Sequence, residues 1–238
     1  MRRGPAALLS GPLAATAYFA LAPVLPALPR GDAAALVAGA AGMLAVAAAT
    51  LWLAPVHAHI WAGTLIVLGA GIMAGGLSAA GVGTQANVPE ALAAGALGVL
   101  FARALDEPAV VVAVPLFVAG VDVWSVLGGP SERLLAGPTE PVDLLSLDLP
   151  AWGGSGSAGR VGFPDAVFLT TFAAWTWRLG LRRRATVAGL VAGLFGALVL
   201  GVVLDRGIPV LPFLAAGFLL VNADRLGRLL RGRSGGCP

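Results

Sequence analysis

Apolar runs of about twenty residues follow one another along the whole chain, and a helix of that length matches the roughly 30 Å hydrocarbon core of a bilayer. A helix that is apolar on every side must be covered by lipid or by other helices. Of the 238 residues, 58% are hydrophobic and 11% charged, less than half the charged share of about a quarter found in soluble domains. The 34 glycines suit helices packed in lipid, where small residues let backbones approach. The expectation is an all-α polytopic transmembrane helix bundle of eight spans, or nine if one run holds two. Residues 1–238 then form a single transmembrane domain.

The runs lie at residues 5–28, 33–53, 60–80, 91–105, 109–127, 163–181, 185–204 and 208–221. The first follows Met1-Arg2-Arg3 and contains FALA, features of a cleaved leader. Its length favours a span. His57-Ala58-His59 lacks nearby acid or thiol partners and reads as a pair of interfacial histidines, so no metal site is expected. Residues 81–90, GVGTQANVPE, read as a loop. Their glycines do not follow a strand, as a phosphate-binding turn requires. The one long polar segment is the loop 129–161. Within it PVDLLSLDLPAW alternates as a strand or surface-lying segment does, and GGSGSAG is linker chemistry. Residues 1–107 thus hold the N-terminal spans and 108–225 the remaining spans with this loop, and 226–238 form a basic tail.

All 15 basic residues are arginine, and they cluster at the ends of the runs. No aromatic-interleaved basic patch accompanies them, so nucleic acid is not an expected partner. With eight spans, both termini share one side. That side receives eleven arginines, and the other receives Arg30, Arg133, Arg160 and Arg206. The positive-inside rule then puts both termini in the cytoplasm and the long loop outside, in a cell membrane. The single cysteine, Cys237, cannot form an internal disulfide.

Asp122 is the one acid well inside an apolar run, about seven residues and so roughly 10 Å from the loop. An ionisable group at such depth is a functional-site hypothesis by default. Asp165 opens the returning span. Because one helix leaves and the next re-enters on the same side, the two carboxylates can face each other, the arrangement that aspartyl proteolysis needs. Alone, Asp165 reads as a helix N-terminal cap, and a membrane aspartate can also pair with arginine or line an ion path. Ile208-Pro209-Val210-Leu211-Pro212 lies at the same membrane face, where two prolines remove two backbone donors. Alone, this too reads as a proline-opened helix start.

Together these residues resemble the intramembrane aspartyl proteases of the presenilin and signal peptide peptidase type, in particular the microbial presenilin-like members. Asp122 lies in VDVWSV, Asp165 in GFPD, and Pro209 to Pro212 read PVLP. The family has an aspartate in one span, a glycine-x-glycine-aspartate motif opening the next, and a proline-alanine-leucine-proline motif near the last. The resemblance covers roughly residues 108 to 225. Val121, Pro164 and Val210 stand where the family has tyrosine, glycine and alanine.

The resemblance implies Asp122 and Asp165 as catalytic residues. It implies substrate contacts from Gly162, Phe163, Pro164, Pro209, Val210, Leu211 and Pro212, with an opened transmembrane segment added as a strand beside PVLP and the loop before Gly162. The implied partner is a transmembrane helical protein or peptide, and no metal or organic cofactor is called for. Two other classes fit the same residues. One is a catalytically silent scaffold that binds membrane helices. The other is a proton-coupled carrier with Asp122 as relay, although the halves show no internal repeat. Type IV prepilin peptidases also use two aspartates, but they lack a PVLP element and hold theirs toward the cytoplasm.

Overall fold

A computed structural model describes residues 5–29, 31–58, 60–81, 83–128, 146–154 and 156–234. Among the described residues the chain forms eight α-helices and one β-hairpin. They are α1 (Pro5–Leu21), α2 (Asp32–Leu51), α3 (Ile60–Ala79), α4 (Gly83–Ala104), α5 (Pro108–Gly128), β1 (Ser146–Pro150), β2 (Ser157–Gly162), α6 (Phe163–Arg178), α7 (Arg183–Leu204) and α8 (Leu211–Ser234). The 3₁₀ turns Ala22–Val24 and Ala54–Ala58 close α1 and α2, and each contains a proline that cannot continue the α-helical hydrogen bonding.

Each apolar run becomes a helix, but four helices are long and apolar enough to cross a membrane. These are the stretch Asp32–Val56 containing α2, then α3, Pro108–Leu127 of α5, and α7. Of the others, α1 has 17 residues and α6 has 16, α4 contains Glu90 and Arg103, and the second half of α8 is rich in arginine. Within the spanning windows 50% of residues are buried in the α2 stretch, against 17% in both α3 and α5. Trp61, Ile72 and Phe117 are more than 70% exposed, at 78%, 76% and 71%. Large apolar side chains facing outward along helices of spanning length form the surface a bilayer covers.

Helix α6 runs through the middle, packed on α2, α4, α7 and α8. From Asp165 to Thr176 nearly every residue is buried. Phe172 stacks on Trp175 and on Phe218 of α8, with centroids 5.7 and 5.2 Å apart, and Phe168 meets Phe101 of α4 edge-on. Backbones touch where side chains vanish. A Cβ on Gly98 of α4 would stand 2.3 Å from the Val167 carbonyl of α6, and one on Gly217 of α8 would stand 2.4 Å from that of Gly189 in α7. Asn222, fully buried on α8, donates to Thr186 Oγ1 and accepts the Arg182 amide, so it pins the start of α7.

Two expectations need correction. Residues 83–90 are not loop but the opening turns of α4, with Pro89 inside the helix. Asn87 is buried there, and its side chain makes two bonds to the backbone of Asp148 in β1, at 2.7 and 3.0 Å. A side chain that supplies a strand's missing partner outweighs the local preference of Gly, Asn and Pro for turns. The last helix, expected at 208–221, starts at Leu211 and continues through most of the basic tail to Ser234. Leu226 is buried there, Asp224 pairs with Arg182, and Arg225 donates to the Gly180 carbonyl.

The strand expected in PVDLLSLDLPAW is β1, which pairs antiparallel with β2 in the register Leu147↔Val161, Asp148↔Arg160 and Leu149↔Gly159. Leu147 and Leu149 are fully buried, and Leu149 lies against Gly42 of α2. The rest of the long loop, residues 129–145, and the side chains of His57 and His59 lie outside the described residues.

Replacing Gly98 by valine should lower the stability of the purified protein by about 1–3 kcal/mol, the usual penalty of overpacking. The same change at Gly75, where an added Cβ meets nothing within 4 Å, should leave it nearly unchanged. Thermal unfolding of both variants in detergent checks this.

Candidate functional site

Asp122 lies near the end of α5, flanked by outward-facing Val121, Val123 and Trp124. Its own side of the helix packs on α8, so its carboxylate is half-buried. Oδ2 accepts the Leu211 N–H at 2.9 Å. Leu211 is the first residue of α8, whose opening amides have no acceptor within the helix. A carboxylate there satisfies one of them and sits at the positive end of the helix dipole. Pro212 occupies the first turn, where its missing N–H leaves no bond unmade. PVLP is therefore a helix start that turns its Leu211 amide to Asp122.

Asp165 is the third residue of α6 and 9% exposed. Its Oδ2 accepts the Gly162 N–H at 3.1 Å, the carboxylate half of a capping box. Gly162 has φ −63° and ψ 141°, open to any residue, so its glycine is not needed for backbone freedom. It is needed for space: a Cβ would stand 2.9 Å from Asp165 Oδ2. Pro164 falls within the first turn, where it leaves the hydrogen bonding intact. Pro164 is thus accommodated by the helix start. Asp122 and Asp165 stand on separate helices, near the end of α5 and at the start of α6.

The remaining expected residues divide between two spaces. Val210 lines a groove of about 300 Å³ whose walls are Ala158, Gly159 and Arg160 of β2, the end of α7, and the turn Asp205–Ile208. On its far side from β1, β2 has no strand among the described residues. The groove thus runs between β2 and the segment that leads to Leu211. Phe163 points elsewhere, into a cleft of about 610 Å³ between α3 and α4 that also holds Glu90. Pro209 and Leu211 are buried beside Asp122's helix, and Pro212 is half-buried. No group of three or more metal-ligating side chains occurs among the described residues.

Sequence reasoning missed Asn87, which anchors β1, and Arg160 with Asp205–Gly207, which wall the groove. Asn87 was hidden in a segment that looked like a loop. For the groove the only signal was polarity at both segments, which a solvated turn would show equally. Comparison with protein-family models, with curated proteins and with solved structures finds no match to this chain.

Because Asp122 caps α8, Asp122→Ala should destabilise the protein by about 0.5–2 kcal/mol, as loss of a helix cap does. Asp122→Asn keeps an oxygen acceptor for Leu211 and should cost less. Unfolding midpoints of the two variants in one detergent check the order, and equal losses would show that the hydrogen bond contributes nothing.

Proposed function

We propose that the protein is an intramembrane aspartyl protease that hydrolyses peptide bonds of transmembrane helical substrates, with Asp122 and Asp165 as its catalytic pair. The observation that supports this reading is that Asp122 accepts the Leu211 amide, so that the aspartate of α5 and the PVLP segment meet, while Asp165 lies buried at the head of the helix that follows the long loop.

In this mechanism the pair holds one proton. The ionised carboxylate takes a proton from a water whose oxygen adds to the scissile carbonyl, and its protonated partner gives its proton to the carbonyl oxygen. The tetrahedral diol then collapses, the C–N bond breaks, and the departing nitrogen takes up a proton. A helical substrate hides its amides and must be opened first. The groove between β2 and Ile208–Val210 suits an extended segment, which would gain the main-chain bonds it loses on unwinding. The arginine ledger supports cytoplasmic termini, with the aspartates toward the outer face of a cell membrane.

A silent helix-binding scaffold is the second reading, and one observation favours it. Both carboxylates already serve the amides of helix starts, Asp122 at Leu211 and Asp165 at Gly162, a structural duty that needs no chemistry.

The test is cleavage of a single-span helical substrate by the purified protein, with and without an aspartyl-protease transition-state analogue. Asp122→Asn and Asp165→Asn should each lower the rate about 10²–10⁴-fold or more, as loss of a general acid or base does, and the analogue should block the wild type. Absence of both cleavage and analogue binding would select the scaffold. Pro164→Gly should alter turnover in an enzyme and leave helix binding by a scaffold unchanged.

A further inference from the structure

On the face of the bundle opposite the aspartates, where the α2 stretch ends and α7 begins, a cavity of about 310 Å³ is lined by Pro55, Thr176, Trp177, Arg183, Arg184 and Val187 among others. We propose that this cavity binds the phosphate headgroup of an anionic phospholipid, with the acyl chains lying along the outward side of α7. The proposal is independent of the protease reading.

Charge is the first ground. Two arginines line the cavity and no acid does. Their neighbours are already engaged, Arg178 with Asp106 and Arg182 with Asp224. Among the described residues neither Arg183 nor Arg184 has a carboxylate partner.

Positioning is the second. The Arg183 guanidinium lies 3.6 Å from the centre of the Trp177 ring, a cation–π contact that holds the group at the cavity wall and leaves its N–H edge available. The cavity also adjoins the start of α7, where Asn222 accepts the Arg182 amide, the amides within the helix have no cap from the Arg182 side chain, and no acid stands in the first turn. Those amides and the helix dipole favour an anion in the same place.

The apolar walls are the third ground, and they choose the kind of anion. Leu51, Ala54, Pro55, Ala173 and Val187 supply its apolar lining, and α2 and α7 belong to stretches of spanning length and apolarity. A soluble phosphate has no use for such walls, whereas a lipid presents a phosphate above hydrocarbon. The volume is at the low end of small-molecule sites, about 300–1,000 Å³, which suits a headgroup and leaves the chains outside. Basic pockets between helices at this membrane face are suited to anionic headgroups.

The experiment is lipid titration of the full-length protein in neutral detergent, followed by native mass spectrometry. The probes are phosphatidylglycerol, phosphatidylcholine and inorganic phosphate. Phosphatidylglycerol should bind in preference to phosphatidylcholine, and millimolar phosphate should not displace it. Its affinity should fall about ten- to thirty-fold in the double variant R183Q/R184Q, recover partly in R183K/R184K, and stay unchanged in R228Q/R231Q, which removes the same charge from α8. V187W, which fills the cavity with both arginines in place, should also lose the lipid. Equal losses in the two glutamine pairs would reduce the effect to diffuse surface charge and overturn the proposal. So would equal binding of phosphatidylcholine, retention of lipid by V187W, or displacement by phosphate alone.

Discussion

An amide with no acceptor is tolerable at a helix start in water and costs several kcal/mol in hydrocarbon, and that constraint organises the polar chemistry of this chain. Four helix or strand positions meet it with a side chain from elsewhere. Asp122 accepts Leu211 at the head of α8, Asp165 accepts Gly162 at the head of α6, Asn222 accepts Arg182 at the head of α7, and Asn87 accepts Asp148 in β1. Three of the four join segments distant in sequence. The few polar side chains inside an apolar bundle therefore act as its joints, and two of those joints are the aspartates of the candidate site.

Around the joints much of the bundle is held by packing. The aromatic column from Phe101 through Phe172 to Phe218 fixes α6 against α4 and α8, and the glycine contacts bring backbones to within touching distance. With its middle so enclosed, α6 presents Asp165 from a rigid base. Asp122 comes from the opposite kind of element, a helix whose surface is largely exposed and whose main packing partner is α8. The pair thus joins a fixed carboxylate to one on the rim.

Much of this was legible in the sequence, because burial in lipid leaves a coarse mark. Runs of apolar residues announced every helix, and Asp122 stood out because nothing around it is polar. Alternation in PVDLLSLDLPAW marked β1. What stayed hidden depended on bonds across the fold. The start of α4 looked like a turn because the bond that keeps Asn87 helical comes from Asp148, 61 residues away. The helical tail looked like a solvated arginine run because its partners, Arg182 and Gly180, lie on another turn of chain. The bond from PVLP to a carboxylate was equally invisible, since a proline-opened helix start looks the same with or without an acceptor. Nor does length alone separate a helix that crosses a bilayer from one that packs inside the bundle, as the 16 residues of α6 show.

The bond between Asp122 and Leu211 joins residues 89 positions apart, which has a bearing on biosynthesis. A ribosome delivers α5 well before α8, so α5 enters the bilayer while the helix it leans on does not yet exist. Its aspartate remains without a seat until the C-terminal segment follows. The candidate site is therefore among the last features to be completed, and a chain cut short before residue 211 carries both aspartates without the amide that Asp122 accepts.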